Sequence, residues 1–304
     1  MSRVEALAGW LWRSPYLLLS LAAFFWASNS VVGRGVREII PPAALSFWRW
    51  ALAAAVMAAI AGPRLVAQRA ALRAEWRRLT LLGLLGVAGF SMLLYLGLQR
   101  TTAVNGLLVQ AVQPSLTMLA MAALVGERPT ARMIVGLILS LAGVAVIVAR
   151  GSLQQLLAFS PNHGDLLILA ATMIYSVYTI LLSRLSLRDP IVAAAAIFVA
   201  GAAWLAPAYG AELAAGAHMV VTPASVAVVL YTALFASCLA YIAYNRTVAL
   251  IGPTRAGSVT NLMPVFGTLL ATVALHERLQ GYHLLGVALV AAGVVLVRAR
   301  TATA

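Results

Sequence analysis

The chain contains no lysine. Its 304 residues carry 21 basic side chains, all of them arginine, against eight carboxylates. Charged residues make up 10% of the sequence, where a soluble domain has about 25%. That leaves too little polar surface to clothe a water-soluble fold of this length. Cysteine is all but missing: Cys238 stands alone, so no disulfide can close within one chain. The four histidines, His163, His218, His276 and His283, are not spaced with one another as metal ligands. Neither a metal nor a cofactor is implied. There is no glycine-rich phosphate loop, no nucleophile elbow and no pair of carboxylates. These absences disfavour an ATP-driven machine and an intramembrane hydrolase, and no catalytic residue is nominated.

What the chain has is apolar length. Hydrophobic residues are 63% of it and the mean hydropathy is +0.96. The apolar stretches run to about 20 residues, enough to cross a bilayer as helix. The alternating pattern of a β-barrel is absent. The sequence therefore predicts an all-α membrane protein with ten transmembrane helices, near 15–36, 42–62, 79–98, 103–125, 132–149, 164–183, 191–209, 223–244, 249–275 and 281–297. Pro41, Pro63, Pro129, Pro190 and Pro223 fall at the edges of these spans, where helices start or stop. The first stretch is too long for a signal peptide and nine more follow it. The segment 63–78 is the one substantial polar stretch. Arg64, Arg69, Arg73, Arg77 and Arg78 crowd it beside Trp76, which predicts a short amphipathic surface helix anchoring the topology.

Orientation follows from arginine. With the N-terminus in the cytoplasm, 14 of the 21 arginines lie inside and five outside, with Arg49 and Arg255 within or beside spans. This bias places both termini in the cytoplasm of a bacterial inner membrane. It also accounts for the net charge of +13 through the anionic lipid surface, and nucleic acid is not an expected partner. Of the acids, Glu5, Glu38, Glu75, Glu127, Asp165, Asp189, Glu212 and Glu277, none falls clearly in the middle of a span. Proton-coupled carriers titrate carboxylates there. Asp165, at the start of the sixth span, reads as a helix N-terminal carboxylate beside the dipole. Arg49 lies inside the second span, and a structural role is expected for it.

The chain also repeats itself. Nine of the 24 positions from 127 to 150 recur identically at 277 to 300, and Pro114 recurs as Pro264 at the same offset. Tyr95, Arg100 and Gly106 match Tyr241, Arg246 and Gly252, while Trp26, Asn29 and Pro41 align with Tyr175, Tyr178 and Pro190. The repeat divides the chain into a terminus at 1–14, a first unit at 15–150, a connection at 151–163, a second unit at 164–297 and a terminus at 298–304. Each unit is long enough for five spans, and an odd number turns the second upside down. Inverted repeats around a site near the midplane belong to secondary transporters, and the lack of a central carboxylate then argues for facilitated diffusion or exchange.

The candidate path residues are those whose polarity or ring lies deep in a span. Trp26 and Asn29, three apart, share a face of the first span, and Tyr175 and Tyr178 answer from the sixth. Tyr95 and Tyr241 are repeat-equivalent. Gln110 and Gln113 precede Pro114, and Ser258 and Asn261 precede Pro264. A proline inside a helix frees the carbonyl four residues earlier, here Gln110 and Thr260, beside side-chain amides that suit an ammonium group. Interfacial aromatics account for Trp10, Trp12, Tyr16, Trp204 and Tyr209. Gly136, Gly143, Gly286 and Gly293 read as close helix contacts, within or between subunits.

The run Trp26-Ala27-Ser28-Asn29, Arg49, Pro114, Glu127-Arg128 and Gly136 to Gly143 resembles one EamA-type unit, and the second copy resembles another. Together they cover nearly the whole chain. The pattern is similar to that of the drug/metabolite transporter superfamily, and within it to the bacterial aromatic amino acid exporters. The resemblance implies ten helices in two inverted five-helix repeats around a central cavity. The first, third, fourth, sixth, eighth and ninth spans would line that cavity. It implies export of amino acids with aromatic or apolar side chains, and related metabolites, by alternating access. A drug or nucleobase-like metabolite exporter is the alternative, ahead of a membrane enzyme or a receptor. The expected partners are the small-molecule substrate and the bilayer. In a Cys238→Ser background, Glu127→Cys and Gln280→Cys are expected to react with an impermeant thiol reagent from opposite sides of the membrane. Reaction of both from the outside would overturn the inverted topology.

Overall fold

Proline sets where the helices begin. In the computed structural model, residues 10–126, 129–149, 152, 154, 162–187, 189–257, 261–275 and 281–298 are described. Helix α1 (Pro15–Gly35), α2 (Pro42–Ala61) and α3 (Pro63–Ala67) each start on a proline. The missing N–H is not needed in a first turn and φ is already helical. Next come α4 (Arg69–Ala74) and α5 (Trp76–Arg100), with a π-helical stretch at Gly83–Gly89. The first half closes with α6 (Ala103–Gln110), α7 (Gln113–Val125) and α8 (Ala131–Val148). The second half follows the same plan: α9 (His163–Ser183), α10 (Pro190–Ala214) and α11 (Pro223–Ile251), with a π-helical stretch at Thr232–Leu239. It ends with α12 (Pro253–Gly257), α13 (Met263–Leu275) and α14 (Gly281–Arg298). No strand occurs among the described residues.

Six of these helices, α1, α2, α5, α9, α10 and α11, are long and apolar enough to cross a membrane. They are the first three of each repeat. The polar stretch at 63–78 forms the short helices α3 and α4, with Leu65 and Leu72 half-buried and Arg64, Arg69 and Arg73 exposed. The Ser186 hydroxyl, and after it Arg78, hold the Glu75 carboxyl below the usual carboxylate range.

The fourth and ninth stretches depart from the expected continuous spans. Helix α6 stops at Gln110 and α7 restarts at Gln113, with a turn between. Pro114 lies in the first turn of the new segment rather than in mid-helix. It has no N–H to offer the Gln110 carbonyl, so the ladder ends there. In the second half, Gly252 adopts φ 82°, a left-handed turn that suits glycine. Helix α12 is described as far as Gly257, and a 3-10 turn at Asn261 and Leu262 leads into α13 at Met263, again with a proline, Pro264, in its first turn.

The halves interlock by exchanging partners. The first helix of each packs on the third of the other, α1 on α11 and α9 on α5, while α2 pairs with α10 and α8 with α14. The equivalent pairs run antiparallel. The Glu212 carboxylate, at the end of α10, accepts from the Ala43 and Ala44 N–H groups at the start of α2, at 3.0 and 2.7 Å. At the other end, Arg64 after α2 meets Asp189, the N-cap of α10, at 3.4 Å. Gly143 of α8 lies against Gly286 of α14, and Gly293 against Gly136, inside one chain. A Cβ on Gly143 would stand 2.6 Å from the Gly286 carbonyl oxygen, so Gly143→Ala is expected to cost about 1–3 kcal/mol through overpacking. Gly210, with open space around it, should accept alanine without loss. The buried thiol of Cys238 reports both: a thiol-reactive dye should mark a lower unfolding temperature for Gly143→Ala and an unchanged or higher one for Gly210→Ala.

Candidate functional site

Rings from both repeats meet where the halves interlock. Trp26 of α1 stands edge-on to Tyr175 of α9 and Tyr241 of α11, with centroids 5.7 and 5.4 Å apart, and lies 5.1 Å from Tyr244. Tyr175 lies 4.9 Å from Tyr178 and 4.7 Å from Phe90. Trp50 of α2 and Phe198 of α10 close the group, 4.9 and 5.8 Å from Tyr241. Edge-to-face rings at such distances are favourable beyond their burial, by about 0.5–1.5 kcal/mol a pair. The polar tips are anchored: Tyr241 donates to the Gly86 carbonyl at 2.8 Å, Tyr178 to Asn245 Oδ1 at 3.0 Å, and Trp50 Nε1 to Ser91 at 2.6 Å. Tyr244 and Thr179 share a hydrogen bond of 2.9 Å. The Tyr178 ring lies so close over Gly86 that a Cβ there would collide with it. The rings fill their own enclosure, so an entering ring must displace one of them.

A second group is built around Arg49. This side chain is 1% exposed. Its Nε donates to Ser237 Oγ at 2.5 Å and its Nη1 to Asn29 Oδ1 at 3.3 Å and the Tyr95 hydroxyl at 2.8 Å. Nη2 donates to the Ala236 carbonyl at 3.0 Å, and the guanidinium sits 4.8 Å from the Trp50 ring centroid. Ser237 and Ala236 belong to the π-helical stretch of α11, so the bonds cross between repeats. Trp26 Nε1 shares the Ala236 carbonyl at 3.1 Å. Tyr95 in turn donates to Asn29 at 2.8 Å. The expectation that Trp26 and Asn29 act on one face is thus refined. Three residues leave the two side chains about 60° apart around a helix of 3.6 residues per turn. That is enough to send Trp26 to the rings and Asn29 to Arg49 and Tyr95.

The third group lies at the broken helices. Gln110 is buried and donates to the Gly106 carbonyl at 3.1 Å and to Ser30 at 3.4 Å, tying α6 to α1. Gln113 and Asn261 are buried on the two restarting segments, and α12 packs against α7. Gln113 Nε2, Thr117 Oγ1, Asn245 Nδ2, Asn261 Oδ1 and the Tyr175 hydroxyl are buried and find no hydrogen-bond partner of ordinary geometry among the described residues. Such an atom costs about 1–3 kcal/mol until something polar meets it. Ser258, a further candidate, and Thr260 lie outside the described residues.

The sequence reading left out Trp50, Phe198, Tyr244 and Asn245, and it expected only a structural role for Arg49. Tyr244 had a signal, since it follows Tyr241 by three residues and so shares its face. Trp50 had none beyond standing next to Arg49.

This arrangement has known counterparts. A family model described as the EamA-like transporter family matches residues 13–149 and again 162–299. The chain belongs to that family. Its two matched stretches coincide with the two halves of the fold, so this EamA protein is a multi-pass membrane protein built from two repeats. An uncharacterized transporter of Archaeoglobus fulgidus is 30% identical to it over 290 residues, covering 94% of this chain and 97% of the relative. The uncharacterized transporter YyaM of Bacillus subtilis is 25% identical and covers 92% of each. A probable terminal-alkyne amino-acid exporter of Streptantibioticus cattleyicolor is 28% identical and covers 93% of each. A crystal structure 23% identical to this chain superposes with a TM-score of 0.74, over 93% of this chain and 96% of that one, and shares the fold.

Asp165 separates structure from chemistry in this EamA protein. Its Oδ2 accepts the Asn162 N–H at 2.8 Å and its Oδ1 the Thr101 hydroxyl at 2.6 Å, completing a capping box at the start of α9. Both oxygens serve the fold. Asp165→Ala should lower stability by about 0.5–2 kcal/mol, the value of a helix cap, read as a fall in Tm. Transport down the substrate gradient, measured per folded molecule without an imposed pH gradient, should be modestly reduced at most. Accumulation against a substrate gradient that is driven by pH in the unaltered chain and abolished in Asp165→Ala at unchanged Tm would move Asp165 from the fold to proton coupling.

Proposed function

We propose that this EamA protein moves amino acids with aromatic or apolar side chains, and related metabolites, out of the cell across a bacterial inner membrane. The observation that carries this reading is the enclosure of rings from both repeats, beside the starts of α7 and α13, where Gln113 Nε2 and Asn261 Oδ1 are buried without a partner of ordinary geometry among the described residues. A flat substrate ring could replace one of the enclosing rings. The substrate ammonium would take the Gln110 carbonyl that Pro114 leaves free, with Gln113 and Asn261 alongside. Discontinuous helices near the midplane are how inverted-repeat carriers present such groups. The name of the Streptantibioticus cattleyicolor relative, a probable terminal-alkyne amino-acid exporter, supports the same substrate class.

In this reading ten helices cross the membrane, in units at 15–150 and 164–297, with both termini in the cytoplasm and the units inverted. The antiparallel pairing of α2 with α10 and α8 with α14 supports the inversion. Alternating access would rock one unit on the other, and among the described residues no carboxylate sits at the ring enclosure to couple protons. Trp26, Asn29, Tyr95, Gln110, Gln113, Tyr175, Tyr178, Tyr241, Ser258 and Asn261 are the proposed path residues. A drug or nucleobase-like metabolite is the second reading, because the ring enclosure would also hold a flat heterocycle.

Counterflow in proteoliposomes tests the proposal. Trp26→Ala or Tyr178→Ala should slow aromatic amino acids about twofold to tenfold more than alanine or glycine, the equivalent of about 0.5–1.5 kcal/mol per ring contact. Trp204, 47% exposed on α10, is the control, and Trp204→Ala should leave transport unchanged at matched expression. Equal losses for all substrates would remove the ring enclosure from the path. Counterflow by nucleobases but not by amino acids would favour the second reading.

A further inference from the structure

The Arg49 guanidinium is a full charge on a side chain only 1% exposed, and nothing described cancels it. Its four hydrogen bonds go to neutral acceptors: Ser237, Asn29, Tyr95 and the Ala236 carbonyl. No carboxylate stands within ion-pair distance of it among the described residues. An arginine has five N–H hydrogens. The second hydrogen on Nη2 has no acceptor among the described residues. Buried charges are ordinarily paired or bound to a counter-ion, because neutral dipoles solvate a charge without cancelling it. An arginine within a membrane domain faces the bundle interior and marks a substrate or ion pathway.

Its position relative to the rings is what gives the charge a use. Arg49 and Trp26 Nε1 bind the same carbonyl oxygen, that of Ala236. The guanidinium lies over Trp50, 4.8 Å from the ring centroid, and Trp50 lies 4.9 Å from Tyr241. A molecule with its ring between Trp26 and Tyr241 therefore has the guanidinium one ring away. The repeat-equivalent position on α10 is Phe198, so the second half supplies no matching charge. The path is electrically one-sided.

We propose that Arg49 is the carboxylate-recognition residue of this transporter: the substrate's own carboxylate supplies the missing counter-charge. This rests on the reading of the ring enclosure as the substrate site and narrows it to ring-bearing carboxylates. A planar guanidinium accepts a carboxylate in a two-pronged hydrogen bond that an ammonium group cannot make. On binding, Nη2 would turn its uncommitted hydrogen to the carboxylate, and the bond to Asn29, the longest of the four at 3.3 Å, would yield. The same residue would exclude amines that lack an acid group, since they would place a second cation beside the first.

Three indole compounds separate the terms when titrated against the purified full-length chain in nanodiscs, with binding read by calorimetry. Tryptophan carries both charges, indole-3-propionate only the carboxylate, and tryptamine only the ammonium. The wild-type chain should bind tryptophan and indole-3-propionate about tenfold or more tighter than tryptamine. Arg49→Gln should weaken both carboxylates and tighten tryptamine, which no longer meets a like charge, so that the three compounds converge. Arg49→Lys, which keeps the charge and loses the fork, should preserve the order with weaker affinities. If Arg49→Gln does not fold, the wild-type ranking and Arg49→Lys still decide. Equal wild-type binding of tryptophan and tryptamine would overturn the proposal while leaving amino acid transport standing. So would a loss in Arg49→Gln that is the same for all three compounds. Binding of indole-3-propionate without tryptophan would support Arg49 and overturn the amino acid reading instead. Binding of none of the three would overturn both.

Discussion

Backbone groups inside a bilayer must find their hydrogen bonds within the protein, and the rest of this fold follows from that constraint. Hydrocarbon offers no donor or acceptor, so a helix can be interrupted at membrane depth only where other protein surrounds the break. This chain interrupts its helical ladder after Gln110 in the first half, and at the equivalent place of the second a 3-10 turn at Asn261 and Leu262 leads into α13. The breaks are tolerated because α7 and α12 pack against each other and α9 backs them. The π-helical stretches of α5 and α11 belong to the same economy. A widened turn releases backbone acceptors, and buried side chains take them up: Trp26 and Arg49 on Ala236, Tyr241 on Gly86. Side chains of one repeat thereby complete the backbone of the other, and neither half could bury its irregular backbone alone.

The charge on Arg49 fits into this account with one difference. Placing an arginine at the centre of a spanning helix costs about 2.5–3.5 kcal/mol even on insertion scales that allow it to relax. Lysine is absent from the whole chain, yet an arginine sits here, where a fork can reach four acceptors on three helices. Two of these acceptors, Asn29 and Tyr95, come from its own repeat and two from the other. A rocking motion of one repeat on the other would stretch the second pair and spare the first. Arg49 therefore stands both at the joint between the halves and beside the rings, so that an anion meeting it acts on the joint as well.

Much of this was legible in the sequence. Apolar runs, prolines at span edges and the echo of 127–150 in 277–300 foretold helices, their starts and two units. The aromatic pair at Tyr175 and Tyr178 was found because it aligns with Trp26 and Asn29. The less legible parts are those set by partner choice across long separations. Periodicity places Asn29 near Trp26, but only the position of α2 and α5 decides that Asn29 turns to Arg49 and Tyr95. Proline was expected to act in mid-helix, and instead Pro114 and Pro264 lie in the first turns of α7 and α13. Arg49 was expected to be structural because an isolated cation in a span has many bland explanations, from snorkelling to a backbone bond. Its actual environment, four neutral acceptors drawn from two repeats, leaves no trace in residue spacing.

The enclosure of rings sets how strongly such a protein can bind. On the proposed reading, a substrate ring that enters would replace a contact that Trp26, Tyr175 and Tyr241 already make with one another, at distances of 5.4–6.0 Å. Ring stacking alone then gives little net affinity, since one favourable contact of about 0.5–1.5 kcal/mol is exchanged for another. The net gain must come from groups that are unsatisfied before binding: the buried amides at the helix breaks and the unbalanced guanidinium. That division assigns shape selection to the rings and binding free energy to the polar groups. It suits a carrier that must release what it binds, because a site deep in the ring contacts would hold its substrate and stop turning over. On the proposed reading, only a ligand that reaches both the breaks and the rings would be favoured over the closed enclosure, which would exclude simple hydrocarbons and lipids from an otherwise apolar path.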